Sequence, residues 1–111
     1  MKENEIINAP DAVEESGVGE YKFVKPVKID GEEKESIPYD FTMLNGSHIR
    51  HAKSELQKRG YTVAVKELDE VFHAAMFAEA AGISVADVER FSPHDYNNIA
   101  DLARDFLYGE D

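Results

Sequence analysis

From Tyr21 the chain alternates between apolar and polar positions. Tyr21, Phe23, Val27 and Ile29 share one side of an extended strand and Lys22 and Lys28 the other. Asp30-Gly31-Glu32-Glu33 then supplies turn chemistry, because Gly31 can take positive φ without steric cost. Ile37, Tyr39 and Phe41 resume the period of two, so the pattern predicts a β-hairpin over 21–41. Pro26 and Pro38 each remove a backbone donor, which suits edge strands or strand ends. A lone hairpin is marginal in water, so its aromatic face is expected to lie on helices or on another chain.

After Leu44 the period lengthens. Asn45 or Ser47 can cap a helix that carries Ile49, Ala52 and Leu56 on one face and runs to Arg59, with Gly60 ending it. Residues 61–65 are short and β-branched, and either a third strand or an extended linker fits them. From Lys66 a second helix is expected, with Leu68, Val71, Phe72, Ala75, Met76 and Glu79 as its stripe and Gly82 as its stop. Ser84 and Asp87 cap a short helix through Val85 and Val88. Ser92-Pro93 opens the last one, with Asp95 in the first turn where the helix dipole favours an acid. Tyr96, Ile99, Ala100, Ala103, Phe106 and Leu107 make its apolar face. The fold class is therefore α+β and mainly helical, an N-terminal hairpin packed on a bundle of about four helices.

At 111 residues and 42% hydrophobic composition the chain can bury one modest core, which points to a single domain over 21–111, with the hairpin at 21–41 and helices at 47–108. Residues 1–20 contain Pro10, Gly17 and Gly19 and hold no sustained period, so they are expected to form a disordered acidic tail. The absence of cysteine excludes disulfides, thiolate zinc sites and cysteine nucleophiles. The start lacks the apolar run of a signal peptide, and no segment approaches the roughly 20 apolar residues of a membrane span. A soluble intracellular protein is expected.

The formal net charge of −11 is unevenly spread. Residues 66–111 carry three Lys or Arg against eleven acids, whereas residues 21–65 carry eight against six. A polyanionic helical half repels nucleic acid and anionic membrane, and would suit a basic partner. For most individual carboxylates the simpler role is to keep the protein soluble.

Candidate chemistry is sparse. His48 and His51 are one helical turn apart, but two ligands without a third make no metal site. His73 is expected at the rim of the core with one hydrogen bond, and His94 at the surface. Acidic pairs such as Asp101 and Asp105, with Arg104 between, resemble a solvated face more than an acid–base dyad. Gly17-Val18-Gly19 lacks the third glycine and the following helix of a phosphate loop. No catalytic, cofactor-binding or metal residue is assigned, and no enzyme is expected.

The order of short motifs carries a resemblance. Lys25-Pro26-Val27 precedes the hairpin turn, Leu44-Asn45-Gly46 opens a helix, and an alanine-rich helix ends at Gly82. Phe91-Ser92-Pro93-His94-Asp95 then leads to a helix closing in Phe106-Leu107. This succession over Tyr21 to Tyr108 resembles the tail assembly chaperones of long-tailed bacteriophages and prophages. In that family a strand with Lys-Pro-(Val/Ile), a helix opening at Leu-(Thr/Asn)-Gly and a Leu-Ser-x-x-Asp-like turn follow in the same order.

The resemblance implies a non-enzymatic protein in the cytoplasm of the bacterial host, without cofactor. It implies two partners, the tape measure protein, which it keeps soluble, and the tail tube protein, which it helps recruit. Self-association is compatible with an open strand edge. A longer frameshifted product is common in the family. From residue type, Tyr21, Phe23, Phe41, Met76, Tyr96 and Phe106 form a candidate partner-binding surface, with a core role open for several of them. Two other functions fit the composition: an acidic inhibitor or DNA mimic acting on a basic host protein, and a structural tail component.

Overall fold

The computed structural model describes residues 17–109. Strand β1 (Val18–Ile29) and strand β2 (Glu32–Asp40) pair antiparallel in a two-stranded sheet. Asp30 at φ 54° and Gly31 at φ 80° form the two-residue loop between them, the left-handed geometry that matches strand twist and that Asp-Gly accepts readily. Pairing is regular from Val18 opposite Asp40 to Lys22 opposite Ser36, then resumes at Val27 opposite Lys34. Between those points four residues, 23–26, face the single residue Glu35, so β1 bulges where Lys25 and Pro26 lie. The strand begins three residues before the alternation indicated. Residues 18–20 belong to the sheet rather than to the expected tail, Gly17 forms a turn before it, and the expectation for residues 1–16 lies outside the described residues.

A 3₁₀ turn at Phe41–Met43 leads into α1 (Gly46–Lys58), α2 (Glu70–Ala81), the single turn α3 (Val85–Val88) and α4 (Pro93–Tyr108). The helix starts obey the expected cap chemistry. Asn45 caps α1 by accepting from Ser47 N, Ser84 and Asp87 cap α3 reciprocally, and Ser92 accepts from Asp95 N at the start of α4. Gly82, at φ 71°, stops α2.

One expected boundary is wrong. The second helix starts at Glu70 rather than Lys66, because Asp69 is its cap and accepts from Phe72 N at 3.0 Å. Lys66–Leu68 is a separate 3₁₀ turn, and Leu68, expected in the core stripe, is 82% exposed. Residues 61–65 form no strand and serve as linker.

Helix α2 is the centre of the molecule, with α1 and α4 packed on it from different sides and β2 across it. Eight of its twelve residues are buried, including Phe72, Met76 and Phe77, so it has no polar face. The hairpin closes the remaining side with Phe23, Val27, Ile29, Ile37, Tyr39 and Phe41, all in the core. The aromatic face of the hairpin therefore lies on the helices of its own chain.

Candidate functional site

The junction between the hairpin and the last helix is built on Asp95. Its side chain is fully buried. The β1 bulge turns the backbone N–H groups of Val24 and Lys25 away from β2, and both donate to the Asp95 carboxylate, at 2.8 and 3.2 Å. Tyr21 OH donates to Oδ1 at 2.5 Å, and Ser92 Oγ donates to Oδ2 at 2.9 Å. Asn98 Nδ2 in turn donates to Tyr21 OH at 3.1 Å. Burial opposes the charge on Asp95, but the bonds from Tyr21, Val24, Lys25 and Ser92 outweigh it and hold the carboxyl below its usual range. Burial, together with the same bond to Asp95, pushes the Tyr21 hydroxyl up to about 12. Four donors converge on this one carboxylate, so the arrangement joins the hairpin to α4.

An exposed apolar patch lies at the open end of the hairpin. Phe106, on the last turns of α4, stacks on buried Phe41 with ring centroids 5.2 Å apart and remains 44% exposed. Its ring also covers Gly17, where a Cβ would come within 2.8 Å of it. Met43, 49% exposed, and Val18, 39% exposed, flank this contact in the chain. Nearby charge is mixed: Asp105 is exposed beside Phe106 and pairs with Arg104 at 3.4 Å, and Asp40 lies opposite Val18 in the hairpin.

The six expected contact residues do not form one exposed face. Phe41 and Met76 are core, 2% and 0% exposed, and Phe23 is buried against Phe91. They pack there because the hairpin needs an apolar partner and α2 supplies it, so none of the three is available to a partner in this fold. Tyr21 is half-buried and engaged with Asp95, and Tyr96 is half-buried against the core. Phe106 alone of the six is exposed. Val18 and Met43 were missed, since a strand residue assigned to a tail and a lone Met in a turn show no periodicity.

The histidines have local roles. His48 Nδ1 accepts from Asn45 N at 3.0 Å and completes the cap of α1. His51 pairs with Glu79 at 2.5 Å, a bond that raises its pKa. His94 is at the surface. His73 departs from expectation: it is fully buried between Phe72 and Tyr108, and its Nε2 has no hydrogen-bond partner. Among the described residues, no group of three His, Asp or Glu comes together as a metal site, and no helix is long and apolar enough to cross a membrane.

Elements that carried the resemblance meet at Asp95: Lys25-Pro26 supplies the bulge and Ser92-x-x-Asp95 the acceptor. A family model described as phage tail assembly chaperone proteins, E, or 41 or 14, matches residues 20–108. The chain belongs to that family. No curated protein and no solved structure matches the chain. The matched span of this tail assembly chaperone runs from β1 to the end of α4, so the family match and the folded unit nearly coincide. The family is one of assembly proteins and not of enzymes.

Proposed function

We propose that this tail assembly chaperone binds the tape measure protein in the host cytoplasm, keeps it soluble and helps recruit tail tube subunits before polymerisation. The carrying observation is the exposed ring of Phe106, seated on Phe41 and flanked in the chain by exposed Met43 and Val18, on a protein of formal net charge −11. A tape measure is a long helix with an apolar stripe, prone to aggregate. Phe106 offers such a stripe an aromatic anchor already held by Phe41, and little ordering entropy remains to be lost on binding. The net charge of −11 then keeps loaded complexes apart.

Co-expression with the long helical protein of the same tail gene cluster tests the reading. Soluble complex that co-elutes on size exclusion and survives about 0.5 M salt is the expected result, because an apolar contact is not screened. A complex dispersed by salt would instead favour an acidic inhibitor, and retention of the protein in purified virions a structural tail component.

A further inference from the structure

The helical half of this acidic chain begins with a net-positive stretch. Residues 46–66, α1 and the linker after it, hold five Lys or Arg against the single acid Glu55. Two of these cations are occupied: Lys58 pairs with Glu55 at 3.1 Å and Arg59 pairs with Glu89. Arg50, Lys53 and Lys66 have no ion pair among the described residues. Arg50, Lys53 and Gln57 follow one another at i, i+3 and i+7 along the outer side of α1. Between that side and the linker run two adjoining hollows of about 190 and 310 Å³, which share Lys53 and Val63. Tyr61 and Val65 line them too, 37% and 52% exposed, and Lys66 stands along the linker side. Glu67 also lines the second hollow, so the open groove combines the apolar walls of Tyr61, Val63 and Val65 with the cations of Lys53 and Lys66 and one acid.

Residues 1–16 have the complementary composition. They carry five acids against Lys2, together with Ile6, Ile7 and Val13. We propose that this acidic N-terminal segment docks along the groove of α1 and the 61–67 linker within the same chain. The tether makes it feasible. Gly17 lies beside Thr42, three residues before the Asn45 cap of α1, and Lys53 is eight residues beyond that cap, about 12 Å at the rise of a helix. The three residues from Thr42 to the cap add at most about 10 Å, and nine extended residues span about 30 Å, so the stretch from Gly17 back to Asn8 is long enough to reach Lys53 and leaves seven residues for the rest of the groove. Covalent attachment to the same chain also sets an effective concentration of order millimolar, so even a contact with a Kd of about 1 mM is half filled. The hairpin lysines are a poorer target, because Lys22, Lys25, Lys28 and Lys34 sit among six acids over residues 18–40. Docking shields the positive region from other polyanions and makes an acidic partner compete for it.

The lack of cysteine gives a direct test on the full chain. A nitroxide on Ala9→Cys in ¹⁵N-labelled protein is expected to broaden the amide signals of residues 50–57 and 61–66 severalfold at low salt. The signals should recover in about 0.5 M salt and in the variant Lys53→Glu/Lys66→Glu, whose altered side chains are exposed and unpaired. Adding Asp11→Lys/Glu14→Lys to that variant should restore the broadening. Unbroadened groove signals, broadening equally strong at residues 22–28, or broadening that survives the charge reversal would overturn the proposal. So would broadening of ¹⁵N protein by spin-labelled ¹⁴N protein in a mixed sample, which would assign the contact to a second copy.

Discussion

Asp95 on the first turn of α4 and Tyr21 on β1 share a 2.5 Å hydrogen bond across 74 residues of chain. The same carboxylate accepts from Val24 N and Lys25 N, so one side chain fastens the irregular part of the hairpin to the helical half. Tyr21→Phe is expected to cost about 1–2 kcal/mol and Asp95→Asn about 3 kcal/mol, since the second change leaves buried donors without a charged acceptor. The two should be non-additive. A double-mutant cycle by urea unfolding is expected to show a coupling of about 1 kcal/mol or more, and additivity within about 0.3 kcal/mol would mean that the bond contributes little.

Stability should depend on pH at both extremes. Folding depresses the pKa values of Asp95 and Asp87, so their contribution is present above the unfolded carboxyl value and lost as pH falls below about 4. Tyr21 is shifted the other way, up to about 12. Its contribution is complete below about pH 10 and is lost between about 10 and 12. Thermal melts from pH 2 to 12 should show both losses. Asp95→Asn should flatten the acid limb and Tyr21→Phe the alkaline one; unchanged limbs would place the shifts elsewhere.

Much of the fold was legible because its signals are local. The Asp30-Gly31 turn and the caps at Asn45, Ser84 and Ser92 each follow from backbone geometry and one side chain within a few residues. Leu68 failed for a related reason: the helical period continues through it, but the cap at Asp69 interrupts the backbone there. The acid just before an apolar run was the available signal. Phe77 lay outside the expected stripe because a one-faced helix was assumed, whereas α2 is covered on the hairpin side as well, where Phe77 meets Tyr21, Tyr39 and Phe41. The role of Asp95 was only half legible. Its place in the first turn is local information, while its reach to Val24 and Lys25 depends on a bulge that no periodicity reveals.

Gly17 is confined by its surroundings. It adopts φ 86°, and a Cβ would meet the Phe106 ring at 2.8 Å. Gly17→Ala is expected to cost about 1–3 kcal/mol through backbone strain and displacement of Phe106. Chemical denaturation measures the cost, and a change below about 0.5 kcal/mol would show that Phe106 moves aside freely.

His73 leaves a nitrogen unsatisfied in the core. Replacing it with Met, which fills irregular space and demands no hydrogen bond, is expected to add about 1 kcal/mol and raise Tm by about 4–8 °C. A lower Tm in calorimetry would show that the imidazole provides packing or a bond that Met cannot replace.

The patch at the end of the hairpin can be separated from the fold that presents it. Phe106→Ser/Met43→Ser removes two exposed apolar groups, while Asp95, Tyr21 and the core remain. The most direct measurement is the fraction of tape measure protein recovered soluble on co-expression with this double variant, compared with the unaltered chaperone. An unchanged circular dichroism spectrum with at least a tenfold loss of soluble tape measure is the expected result. A folded variant that keeps the tape measure as soluble as the unaltered protein does would contradict the assignment of the patch as the chaperone surface.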